Sequence, residues 1–122
     1  MYKKLLFLLL VVTSAIALMA GQHPIIIHSS GTANDHFEHY GIADMPDAVY
    51  YDSDEMEIII EADGTSLYYN VQIVSNSLNQ TVILTQISGY GDTIDVSSLT
   101  SGNYTIIITS QFLNEYEGQF TI

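Results

Sequence analysis

Leu67-Tyr68-Tyr69-Asn70-Val71-Gln72-Ile73-Val74 is the stretch on which the fold turns. In an extended chain Leu67, Tyr69, Val71 and Ile73 fall on one side, with Asn70 and Gln72 opposite. That period of two belongs to a half-buried strand rather than to a helix. The same pattern recurs on both sides of it. Ala48-Val49-Tyr50-Tyr51 is closed by the turn formers Asp52-Ser53-Asp54-Glu55. Residues 56–61 follow, with Met56, Ile58 and Ile60 sharing a face. Further runs cover 81–87, 93–96 and 103–110, the last with Tyr104, Ile106 and Ile108 inward. The final run, 115–122, sets Tyr116, Phe120 and Ile122 against Glu115, Glu117, Gln119 and Thr121. Gly, Asn, Asp and Ser separate the runs at near-regular intervals, and no segment beyond the N-terminus shows a helical repeat.

Seven short alternating strands predict an all-β chain, an antiparallel β-sandwich of the immunoglobulin or fibronectin-III kind. One local signature agrees. Asp95-Val96-Ser97-Ser98-Leu99-Thr100-Ser101-Gly102-Asn103-Tyr104 ends one strand, turns, and opens the next with a tyrosine. Leu99, Gly102 and Tyr104 thereby form a structural corner, in which the Tyr104 hydroxyl ties back to backbone a few residues upstream. Trp and Cys are both absent, so the core Trp and disulfide of antibody domains are missing. The order of Ala48-Val49-Tyr50-Tyr51, Met56-Glu57-Ile58-Ile59-Ile60, Tyr69-Asn70-Val71-Gln72-Ile73, Thr93-Ile94-Asp95-Val96-Ser97-Ser98-Leu99, Gly102-Asn103-Tyr104 and Tyr116-Glu117-Gly118-Gln119-Phe120-Thr121-Ile122 resembles a family of small secreted proteins of unknown function from Gram-negative gut anaerobes. The resemblance implies a signal peptide followed by one immunoglobulin-like sandwich, and it brings no catalytic residues.

The N-terminus reads independently as an export signal. Lys3 and Lys4 precede the apolar run Leu5-Leu6-Phe7-Leu8-Leu9-Leu10-Val11-Val12, and small residues follow, with Ala17 and Ala20 each fitting the position before a cut. The expected organisation is a signal peptide over 1–20, an arm or linker over 21–46 and the sandwich over 47–122. Within the arm, Ile25-Ile26-Ile27 reads as an extra strand. The destination is the periplasm, the outer surface or the medium.

Lys3 and Lys4 are the only basic residues, while all 14 acidic residues lie beyond Ala20. Without its signal the chain carries a formal −14 and cannot form a Lys/Arg salt bridge. Nucleic-acid binding and docking on anionic lipid are excluded, since both depend on cationic side chains. Crowded carboxylates are also expected to hold raised pKa values, so that stability rises as pH falls.

Few residues suggest chemistry. Asp52, Asp54 and Glu55, with Asp63, offer an oxygen-rich set for Ca²⁺, against the plainer reading of solvated turns. His36 and His39 have imidazoles for zinc or copper, but their spacing in a loop fixes no geometry. No nucleophile elbow or metalloprotease motif occurs, and no cofactor is implied. These observations favour an exported, non-enzymatic binding or interaction module of the cell envelope, its ligand a glycan or another envelope protein. Two alternatives stand beside it: a structural subunit that oligomerises by donating its N-terminal strand, and a Ca²⁺-stabilised acidic surface domain.

Overall fold

The computed structural model of the chain describes residues 20–30 and 43–122. Nine strands run in the order β1 (Gln22–Pro24), β2 (His28–Ser29), β3 (Ala48–Asp52), β4 (Glu57–Glu61), β5 (Tyr68–Ser75), β6 (Gln80–Ser88), β7 (Gly91–Asp95), β8 (Asn103–Ser110) and β9 (Glu115–Thr121). The described residues contain no helix. Two antiparallel sheets face each other, one ordered β1-β3-β4-β7 and the other β2-β9-β8-β5-β6. The last seven strands are the seven expected from alternation, and they alone make a three-on-four fibronectin-like sandwich.

Alternation builds the core directly. Ile58, Val71, Ile73, Ile106 and Ile108 are fully buried between the sheets, and each contributes about 1.5–3 kcal/mol of apolar burial. The tyrosine pairs divide as a pleated strand requires: Tyr51 and Tyr69 are buried, whereas Tyr50 and Tyr68 turn outward.

Three local expectations are corrected. Leu67 is 74% exposed rather than part of the inward row. Its backbone belongs to a turn, where its N–H donates to Gln111 Oε1 and its carbonyl accepts from Gly89. Met56 does not continue the Ile58/Ile60 row either. It closes the β3–β4 turn at φ 55° and takes the Tyr51 hydroxyl on its sulfur at 3.4 Å.

The third correction concerns the arm. Ile25-Ile26-Ile27 is no strand but the crossing between two short ones. β1 pairs with β3 in one sheet, β2 pairs with β9 in the other, and the isoleucines step across the seam between them. Ile25 points into the core while Ile26 faces solvent. Gly118 makes the crossing possible: it sits on the inward row of β9 between Tyr116 and Phe120, directly beneath the crossing backbone.

Candidate functional site

The charges are sorted by element. Residues 64–91 and 96–114 contain no Asp, Glu, Lys or Arg. β5, β6 and β8 are drawn wholly from those stretches. Pairing registers place Asn70 beside Gln86 and Thr109, Gln72 beside Leu84 and Ile107, and Val74 beside Thr81 and Thr105. All lie on the outer face of the five-stranded sheet, because Tyr69, Val71 and Ile73 between them are buried. The face holds itself in place. Gln86 Nε2 donates to Asn70 Oδ1 at 3.2 Å, and Gln72 Nε2 to Thr81 Oγ1 at 2.7 Å. Asn76 Nδ2 donates to Gln119 Oε1 at 3.0 Å, and Thr105 Oγ1 to Asn76 Oδ1 at 2.8 Å. Leu84, 74% exposed, stands on the edge strand β6 as an apolar knob. Among the described residues, carboxylates enter this face at the β9 margin, through Glu115 and Glu117.

A cleft of about 470 Å³ opens at the seam between β1 and β9, lined by residues of 23–25, 51–53 and 119–122. Its floor is aromatic: the His23 and Tyr51 rings stack at 6.1 Å, and Tyr51 meets Phe120 at 5.8 Å. Its rim is polar, with Ser53 Oγ and His23 Nε2 3.4 Å apart.

The carboxylates proposed for a cation are not brought together as one set. Asp52 Oδ1 accepts the N–H groups of Asp54 and Glu55 at 2.9 and 3.1 Å, capping the β3–β4 turn. Asp63 lies beyond Glu61, which pairs with Ala48 at the other end of that hairpin. There it caps its own turn, accepting the Thr65 N–H at 2.9 Å and hydroxyl at 2.7 Å. Among the described residues no group of three or more His, Cys, Asp or Glu is placed to hold a metal. His36 and His39 lie outside the described residues, as does most of the expected signal peptide. At the corner, Tyr104 donates its hydroxyl to the Thr100 carbonyl, Leu99 packs against the core, and Gly102 exchanges two backbone bonds with Ile122.

The turn geometry also reverses the expected acid response at two positions. Hydrogen bonds from Thr65 hold the Asp63 carboxyl below its ordinary pKa, and Ser97 does the same for Asp95. A lowered folded pKa means stability that is present above the unfolded value of about 4 and lost as pH falls through the folded one.

Asp44 has no counterpart in the sequence reading. Its side chain is fully buried, where Asn114 Nδ2 donates to its two oxygens at 3.1 and 3.2 Å and the Tyr116 hydroxyl donates to Oδ1. Tyr69 donates its hydroxyl to the Asp44 carbonyl at 2.6 Å. The cluster locks the segment before β3 onto the β8–β9 turn and β5. Burial, reinforced by the Asp44 charge, pushes the Tyr69 hydroxyl up to about 12. Burial and then the hydrogen bond to Asp44 raise Tyr116 further.

No family model and no curated protein matches the chain. Among solved structures it is similar to a DUF3244 family protein with an immunoglobulin-like β-sandwich fold from Bacteroides vulgatus. The TM-score is 0.62 at 13% identity, over 83% of this chain and 98% of that one. The neighbour comes from a gut anaerobe, in keeping with the resemblance to immunoglobulin-like proteins of unknown function. At that identity the likeness is one of fold, and it agrees with the strand order in making this chain an immunoglobulin-like β-sandwich.

Proposed function

We propose that the protein is an exported, non-enzymatic binding module of the cell envelope that holds a neutral glycan on the outer face of its five-stranded sheet. The observation that carries this reading is the charge-free face of β5, β6 and β8. A neutral saccharide presents hydroxyls and apolar ring faces. Amides at Asn70, Gln72 and Gln86, hydroxyls at Thr81, Thr105 and Thr109, and the apolar Leu84 and Ile107 supply matching partners. The amides are already fixed by hydrogen bonds to their neighbours, so less side-chain entropy is lost on binding. An acidic glycan is disfavoured, because no Lys or Arg follows Lys4.

Affinity electrophoresis tests the reading, with gels containing a neutral β-glucan, a neutral xylan or polygalacturonate. Retardation by a neutral polymer is expected, together with its loss in the double variant Gln72→Ala, Gln86→Ala. Equal retardation of variant and parent refutes the face as the site. An absence of retardation by every neutral polymer, with an envelope protein retained instead, moves the reading to a protein ligand.

A further inference from the structure

At the seam cleft the backbone itself is incompletely paired. Gly102 and Ile122 exchange two hydrogen bonds at 2.9 Å, and the Ser110 N–H donates to the Asn114 carbonyl. These bonds fix the phase of the β8–β9 ladder. Residues 116, 118, 120 and 122 bond to β8, so 115, 117, 119 and 121 direct their N–H and C=O groups to the other edge. On that edge the Glu115 carbonyl accepts from Ser30 at 3.0 Å, and Glu117 pairs with His28. There the cover ends, because the chain crosses over Gly118 to the other sheet. Gln119 and Thr121 therefore turn their backbone groups toward the cleft with no backbone partner among the described residues.

The opposite wall is different. Gly21 and Ile25 bond to Ser53 and Val49 of the β3 side, each at 2.8 Å, which leaves Gln22 and Pro24 facing out. Pro24 has no N–H, so the β1 edge is blunted as exposed edges often are. β9 offers a donor and acceptor row beside the cleft.

We infer that the seam cleft accepts an extended peptide segment, which adds a strand to β9 beside Gln119 and Thr121 and seats an apolar side chain on Tyr51, Phe120 and Ile25. Main-chain bonds would supply affinity and the floor specificity, as in other strand additions. A cleft of about 470 Å³ has the size of a ligand pocket. Charge selects the segment. Asp54, against Gly21, follows the lining residue Ser53, Glu117 lies two residues before the lining residue Gln119, and no Lys or Arg follows Lys4. The occupant is thus an alternating apolar and basic segment.

The probe is the peptide Ac-Lys-Val-Lys-Val-Lys-NH₂, titrated into ¹⁵N-labelled residues 21–122 and followed by amide shifts and hydrogen exchange. In the free protein the Gln119 and Thr121 amides should exchange much faster than those of Phe120 and Ile122. With the peptide, those two amides should slow, and shifts should concentrate at 21–25, 51–53 and 119–122. Thr121→Pro deletes one outward donor while leaving the β8 pairing intact, and should weaken binding up to about tenfold, the weight of one backbone hydrogen bond. A peptide N-methylated at its lysines, whose N–H groups face β9 in an antiparallel pairing that turns the valines inward, should not bind, and one with Glu for Lys should bind more weakly. The inference falls if the methylated peptide binds as well as its parent, or if Thr121→Pro folds and binds unchanged. It falls equally if no saturable binding occurs at millimolar peptide. Gln72→Ala with Gln86→Ala should leave peptide binding intact, which separates this site from the glycan face.

Discussion

Replacing Gly118 by alanine tests how the N-terminal segment is attached. A β-carbon there would lie 2.7 Å from the Ile26 carbonyl oxygen, 2.8 Å from Ile25 Cγ2 and 3.1 Å from Ile27 Cγ2. The first of these is backbone and cannot rotate away. Either the crossing lifts or β9 sinks into the core, and overpacking of this kind costs about 1–3 kcal/mol. Alanine recovers roughly 0.5–1 kcal/mol by restricting the unfolded chain relative to glycine. If the crossing lifts fully, Ile25 leaves the core, with a loss of about 1.5–3 kcal/mol. The net expectation is a destabilisation of about 1–2 kcal/mol, which moves a urea midpoint by about 1 M.

The location of the effect matters as much as its size. Exchange should accelerate at the amides of Ile25, bonded to Val49, and Ser30, bonded to Glu115, while β5 and β8 stay protected. In a chain beginning at Ala43, which lacks the crossing, the alanine penalty should vanish, leaving only its small propensity gain. An unchanged midpoint with Ile25 still protected would falsify the claim that this glycine exists to let the chain cross. A penalty that persists without the crossing would place the clash inside the sandwich instead.

Four further outcomes follow from the same packing. Asp44→Ala strands the Asn114 amide and the Tyr116 hydroxyl, and should cost about 2–3 kcal/mol in urea unfolding; a cost near zero would mean that water replaces the carboxylate. Tyr104→Phe removes the bond to the Thr100 carbonyl and should cost about 1 kcal/mol, with the β8–β9 ladder intact by exchange. Tyr69 and Tyr116 have folded pKa values raised above the ordinary tyrosine value of 10.0, so their contribution is complete below pH 10 and lost as pH climbs, through about 12 for Tyr69 and beyond it for Tyr116. Thermal melts from pH 8 to 11.5 should fall steeply above 10 and less so in Tyr116→Phe; parallel curves would refute the linkage. Leu113 holds φ 67° while 66% exposed, so Leu113→Gly should stabilise the β8–β9 turn by up to about 1 kcal/mol, and a lower melting temperature would show that its side chain is doing something the fold needs.

The seven sandwich strands were legible because a half-buried strand writes its geometry into every second residue. Errors came where a run met a turn. Leu67 and Met56 are apolar and in phase with their strands, yet both fall outside the ladder: Met56 closes the β3–β4 hairpin, and Leu67 lies in the crossover from one sheet to the other. The isoleucines of the arm misled for another reason: β-branching favours extended backbone whether or not it is paired. Their crossing is decided by the separation of two sheets, which no local pattern records. The neutral face lay half in view, since 64–91 is visibly free of charge; only the registers show that this stretch, together with 103–110, forms one surface. Asp44 gave no local signal. Its partners Asn114 and Tyr116 are 70 and 72 residues away, and an aspartate beside Met45-Pro46 looks like any other loop residue.

A chain with 14 acidic side chains, whose only two lysines are Lys3 and Lys4, must still find somewhere to put them. The structure puts several against its own backbone. Asp52, Asp63, Asp92 and Asp95 each accept a main-chain N–H close in sequence, so an anion that would elsewhere seek a lysine fixes a turn instead. Such caps belong at strand ends and in turns, where N–H groups are not used by a ladder. Carboxylates gathered there leave the middles of β5, β6 and β8 free of charge, and those strands become the neutral surface. The acidic turns and the amide-rich face are thus two consequences of one constraint. A neutral sheet bordered by anions is a boundary that would repel acidic polymers, attract basic segments and leave neutral saccharides free to approach, as the proposed glycan face and seam site both require.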